Sequence, residues 1–141
     1  MVGIIVVCHG TVASSLVNSA RLFFGELQDV EAVDYDLDDG VCHLKSRIES
    51  IISEMEKEKV FILTDLLGGS PTNICIDLLK KNQNLELFMG VNLPMVLEIL
   101  FHCRKDAKKV DYDKILEQTV LGAKKGIINY REFIREGNLG F

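Results

Sequence analysis

Val60-Phe61-Ile62-Leu63-Thr64-Asp65-Leu66-Leu67-Gly68-Gly69-Ser70-Pro71 is the stretch on which the fold turns. Val60–Thr64 does not alternate apolar with polar, which marks a strand covered on both faces, as in the centre of a parallel sheet. Asp65 then closes the strand. Gly68 and Gly69 let the backbone turn tightly, Ser70 suits a helix N-cap, and Pro71 suits the first helical position. The stretch therefore reads strand, turn, helix. Upstream, Val2–Cys8 is a second unalternating apolar run. Val30–Tyr35, which carries Glu31 and Asp34, and Leu85–Gly90, which carries Glu86, fit strands nearer the sheet margins.

Helical spacing fills the intervals. Residues 12–24 form one helix, closed at Gly25. Val41, Leu44, Ile48, Ile51, Ile52 and Met55 form an apolar stripe over 41–57. Helices also run from Pro71 to about Lys81, from Pro94 to about Cys103 and from Asp111 to Lys125, followed by a β-prone stretch at Gly126–Tyr130. Alternating strands and helices give an α/β, doubly wound, mainly parallel sheet with helices on both faces. Placing the first and third strands centrally gives the order 2-1-3-4. Residues 1–135 form a single domain and 136–141 a polar tail, with Lys105–Lys109 as a charged connection.

The 141 residues, 48% of them hydrophobic and only 2 of them Pro, are those of an ordinary globular domain. A net charge of −5 supplies no basic excess for phosphate backbones, so nucleic acid is not an expected partner. Four Cys with no signal-peptide layout fit reduced thiols in the cytoplasm.

Ligands of doubly wound sheets bind beyond the strand carboxyl ends, where the strand order reverses. Here that point lies between the first and third strands, which end in His9 and Asp65. A carboxylate bonded to one ring nitrogen of His9 would fix its tautomer and leave the other nitrogen as a nucleophile. The helix start after Gly69 offers free N–H groups for a phosphate, and the helix starting near Thr11 points a second N-terminus at the same place.

What these loops lack narrows the chemistry. Neither 8–15 nor 65–73 holds Lys or Arg, and no second acid beside Asp65 could hold magnesium. A nucleoside-triphosphate kinase normally needs such charges. A response-regulator receiver would want acids after the first strand, and a histidine phosphatase an Arg where Cys8 stands. A nucleophilic His among neutral donors remains, which suits phosphoryl exchange between phosphohistidines without a nucleotide, metal or other cofactor.

Cys8-His9-Gly10 with Ala13 and Ser15, Asp65 through Pro71 with Asn73, and Gly90-Val91-Asn92-Leu93-Pro94-Met95 together resemble the enzyme IIA component of the mannose-type sugar phosphotransferase system. The resemblance covers nearly the whole chain. It implies that His9 takes a phosphoryl group from the phosphocarrier HPr through Nε2, with Asp65 on Nδ1. The group then passes to a His of the IIB component, for sugar uptake through the membrane components IIC and IID. Gly10, Thr11, Gly68, Gly69 and Ser70 would surround the phosphoryl group. Leu67, at a position that is aromatic in some members, would lie at the crevice with Asn73, Asn92 and Pro94. The resemblance also implies a homodimer that exchanges a last antiparallel edge strand, here Gly126–Tyr130. Because the chain stops at Phe141, a separate IIB partner is expected. A dihydroxyacetone-kinase-type phosphocarrier subunit ranks second, because its members usually lack the Gly-Gly-Ser-Pro-x-Asn segment. A non-catalytic regulatory module of the same fold is the alternative from another class, against which His9 argues.

Other residues have plainer readings. Cys8 faces away from its neighbour His9, so the two form no nucleophile–base dyad. Cys42-His43 and His102-Cys103 lack the spacing zinc prefers, and no metal site is expected. Asp34, Asp36, Asp38 and Asp39 read as a solvated loop without the EF-hand pattern. The run Pro94–Phe101 is either deeply buried or part of a dimer interface, and the resemblance favours the interface.

Overall fold

Two unalternating runs become two central strands. In the computed structural model, which describes residues 2–103 and 109–138, β1 (Val2–His9) and β3 (Lys59–Thr64) pair in parallel, with Ile4 opposite Phe61 and Val7 opposite Thr64. β2 (Val30–Tyr35) joins the far side of β1, and β4 (Leu85–Met89) the far side of β3, giving the order β2-β1-β3-β4, parallel throughout. The charged strands are the edges, as their Glu and Asp residues require. Around the sheet lie α1 (Val12–Phe24), α2 (Val41–Met55), α3 (Ser70–Leu79), α4 (Leu93–His102), α5 (Tyr112–Lys125) and α6 (Tyr130–Arg135).

Alternation along β1 and β3 divides the core into two layers. Ile4, Val6, Cys8, Phe61 and Leu63 pack with Ala13 and Val17 of α1, Val96 and Ile99 of α4, and Ile115 of α5. Ile5, Val7, Val60 and Ile62 pack with Leu44 and Ile48 of α2 and with Ile74, Cys75 and Leu78 of α3. Each buried aliphatic or Phe side chain stabilises the fold by about 1.5–3 kcal/mol relative to leaving it in water. The run Pro94–Phe101 resolves towards burial: Met95, Val96, Ile99 and Leu100 are core, although Phe101 is exposed.

One element departs from the sequence reading. Gly126–Tyr130 is not an antiparallel edge strand here, and the sheet formed by the described residues has four strands, all parallel. Gly126 ends α5, its N–H bonding to Gly122 O at 3.2 Å, and the Asn129 side chain accepts from the N–H groups of Arg131 and Glu132. Within one chain these local bonds start α6. The segment pairs with neither sheet edge, β2 or β4, and Ile127 and Ile128 are left exposed. The charged connection at 105–109, apart from Lys109, and the last three residues of the 136–141 tail lie outside the described residues. Among the described residues no helix is long and apolar enough to cross a membrane.

Candidate functional site

The site grows from two strand ends. β1 finishes at His9 and β3 at Thr64, so strand pairing alone brings His9 beside Asp65, 56 residues away in sequence. Asp65 Oδ2 lies 2.8 Å from His9 Nδ1 and also accepts from the His9 main-chain N–H at 2.9 Å. Its Oδ1 accepts from the Leu66 N–H at 3.1 Å. Burial pushes the Asp65 carboxyl up, but the hydrogen bonds from the His9 main chain and ring, with the attraction of a charged His9, outweigh it. The carboxyl is held below its ordinary value. As a carboxylate it can only accept, so Nδ1 carries the proton and Nε2 carries the lone pair.

Because ionised Asp65 is stabilised by folding, its contribution is complete above the unfolded pKa, about 3.9, and is lost as pH falls through the lower folded value. Denaturant midpoints at pH 7 and pH 3 should therefore drop further in the wild type than in Asp65→Asn.

The segment 65–69 is shaped to reach the ring. The Thr72 hydroxyl donates to Leu66 O at 2.6 Å and lies 2.8 Å from the Thr64 hydroxyl, tying the turn to both the strand and the helix. Gly68 takes φ +86°, a conformation L side chains rarely adopt. Gly69, not Ser70, is the N-cap of α3, with Ser70 and Pro71 as its first two residues, so the helix starts one position earlier than the sequence suggested. With no side chain, Gly69 passes against the imidazole: a Cβ there would stand 2.6 Å from His9 Cε1 and 3.4 Å from Nε2. Gly69→Ala must displace the ring. Single-turnover transfer should fall between about tenfold and a hundredfold with the fold retained, as expected when a reacting atom is misplaced by an ångström or less.

The opening N–H groups of α3 have no acceptor within the helix and carry its positive dipole end. Its start lies on the same side of the sheet as Nε2, next to the ring. The second expected helix terminus differs. α1 packs on the opposite face, in the layer of Cys8, and its Ser14 N–H and hydroxyl both donate to Asp34, at 3.0 and 2.6 Å. Asp34 is thus a β2 residue occupying that terminus rather than part of a solvated loop. Gly10 gives its N–H to Tyr35 O at 2.7 Å, and Thr11 is the exposed N-cap of α1.

The remaining expected crevice residues divide. Leu67 is 74% exposed and Leu66 51%, so both form an apolar rim. Asn73 is exposed, with its Nδ2 3.5 Å from Gly68 O. Asn92 is committed elsewhere: Oδ1 caps α4 through Met95 N–H at 2.9 Å, and Nδ2 donates to Ala123 O at 3.1 Å. Pro94 lies against Gly126, where its ring leaves no room for a Cβ. Both residues lock α4 to α5. Tyr35, which drew no notice in the sequence, pairs with His9 across the sheet and sets its ring at 70° to the imidazole, with centroids 5.8 Å apart. The predicted strand order could have found it, since the last residue of strand two must flank the last of strand one.

Three of the four thiols are held protonated. Burial first, then the charges of Asp65 and Asp34, raises the Cys8 pKa to about 12, and burial takes Cys75 and Cys103 to about 12 as well. None of the three supplies a thiolate near neutral pH.

Comparison with known proteins gives a consistent result. A family model described as EIIA-man, "PTS system fructose IIA component", matches residues 3–116. The fructose-specific EIIA component of Bacillus subtilis (strain 168) is 30% identical over 101 residues, covering 71% of this chain and 69% of that protein. The mannose-specific EIIAB component of Escherichia coli (strain K12) is 25% identical over 127 residues, covering 89% of this chain but only 38% of that longer protein. A Streptococcus pneumoniae PTS IIA protein associated with the fucose utilization operon superposes with a TM-score of 0.82 at 25% identity, covering 94% and 96% of the two chains. The EIIA component from Streptococcus agalactiae shares the fold with a TM-score of 0.83 at 21% identity, covering 94% of this chain and 99% of that one. The His–Asp pair at the sheet's reversal point thus sits in a sequence most of which the family model spans, and the chain belongs to the mannose-type enzyme IIA family of the phosphotransferase system.

Proposed function

We propose that the chain is a cytoplasmic phosphoryl carrier of a sugar phosphotransferase system, with His9 as the residue that carries the group. The observation behind this is the 2.8 Å contact between Nδ1 and Asp65, which leaves Nε2 open beside the start of α3. His9 Nε2 attacks the phosphorus of phosphohistidine in HPr. The new Nε2–P bond forms as the donor's N–P bond breaks, and the donor imidazole recovers its lone pair. Nδ1 keeps its proton, bonded to Asp65, while the Ser70 side chain and the N–H groups near it hold the phosphoryl oxygens. A second, equivalent exchange passes the group to a His of a IIB component, which serves sugar uptake through IIC and IID. The bonds made and broken are alike, so no nucleotide or metal is needed to drive the step. Family membership favours this over the dihydroxyacetone-kinase-type and non-catalytic alternatives.

The working unit in this reading is a homodimer of single domains spanning 1–135. Ile127 and Ile128, exposed and β-prone, form the segment exchanged as an antiparallel edge strand in the dimer. Purified chain incubated with phosphoenolpyruvate, enzyme I and HPr should acquire one acid-labile, base-stable phosphoryl group per chain. A chain that takes no label from phosphorylated HPr overturns the reading.

A further inference from the structure

A hydrogen bond holds an imidazole at one point and leaves the ring free to swing about that point. In His9 the point is Nδ1, and the atom that must be aimed is Nε2, on the far side of the ring. Asp65 alone therefore fixes the tautomer but not the direction of attack. Gly69 limits the ring at Cε1 without gripping it, since it presents only backbone. Further restraint has to come from a group that is itself immobile.

Tyr35 meets that description. It is the last residue of β2, opposite His9 in the parallel register, so the two side chains leave the sheet on the same face. It is only 7% exposed and packs in the layer of Val7, Leu44 and Ile48. Its ring meets the imidazole edge to face, at 70° and 5.8 Å between centroids, a geometry in which a ring edge finds the negative face of its neighbour. Its carbonyl also accepts the Gly10 N–H at 2.7 Å, so the same residue pins the backbone immediately after His9. Gly10 needs that anchor, because its φ of +56° starts the turn into α1.

We propose that Tyr35 is a positioning residue for phosphoryl transfer: its ring fixes the plane of the His9 imidazole, and thereby the line along which Nε2 meets phosphorus. The ring does this and the hydroxyl does not. The inference rests on the carrier reading for its kinetic arm, while its structural arm stands without it.

Two readouts on the full chain test it: the single-turnover rate from phosphorylated HPr, and the NMR relaxation and nitrogen shifts of the His9 ring, with His43 and His102 as internal references. Tyr35→Phe should keep the rate within about twofold and leave the His9 ring as ordered as in the wild type. Tyr35→Leu should lower the rate between about tenfold and a hundredfold, with a more mobile His9 ring and unchanged His43 and His102 signals. If Tyr35→Leu does not fold, Tyr35→Met, unbranched and apolar, takes its place. A Leu or Met variant with wild-type rate and ring order overturns the proposal, and so does a Phe variant as impaired as Leu, which would assign the effect to the hydroxyl. If phosphorylated HPr labels no variant, the wild type included, the carrier reading fails, and ring order in the unphosphorylated protein still decides the positioning role.

Discussion

His9→Ala should fold and take no phosphoryl group from phosphorylated HPr, with labelling reduced by at least about a thousandfold, since the nucleophile itself is gone. The side chain is 38% exposed and contributes little to the core, so its loss costs mainly the bond to Asp65. The carboxylate still accepts from the residue 9 main-chain N–H, so the destabilisation should stay near 1–2 kcal/mol. Thermal unfolding beside the labelling assay checks both parts. Labelling at the wild-type level would mean that another residue carries the group. His43 and His102 are the only other histidines in the chain, and His102 Nε2 is already engaged with Glu98 at 3.0 Å.

Asp65→Asn should be the second most damaging change. The substitution keeps the shape and removes the charge. An amide can turn its NH2 towards Nδ1, which then accepts, moving the proton to Nε2 and taking away the lone pair that attacks. Even with the oxygen turned inward, the bond to the imidazole is no longer charge-assisted. Single-turnover transfer should fall on the order of a hundredfold or more, the range general for losing the partner that sets a catalytic His. The diagnostic signature is the nitrogen shifts of His9: a changed proton distribution with an intact fold supports the tautomer argument. A slow variant whose His9 still holds its proton on Nδ1 would place the effect of Asp65 in charge alone.

Much of this was legible because it depends on periodicity and strand order. Val2–Cys8 and Val60–Thr64 announce buried strands by lacking alternation, and once they are central, His9 and Asp65 must meet. What was not legible needed atoms rather than patterns. Ser70 has the chemistry of an N-cap, yet Gly69 holds the position, because the chain must first pass against the His9 ring where a Cβ does not fit. Asp34 reads as one of four acids in a loop, but only the packing of α1 against β2 shows that Ser14 captures it. Asn92 and Pro94 sit at the expected edge in sequence, while their contacts face α5. Gly126–Tyr130 has strand propensity, but it pairs with neither edge of the sheet, and the Asn129 side chain caps α6 instead.

All three strand pairings are parallel, and that has a consequence for how the molecule comes into being. A parallel pair cannot close through a hairpin, so every contact in the sheet waits for a crossover of many residues. β1 is made first on the ribosome but acquires its second neighbour only after residues 59–64 have been synthesised, and His9 meets Asp65 across a loop of 56 residues. No local fragment assembles the pair in advance. The nucleophile is therefore set up only when the long-range architecture is complete, and a partly folded or truncated chain ending before β3 carries the histidine but not the carboxylate that readies it.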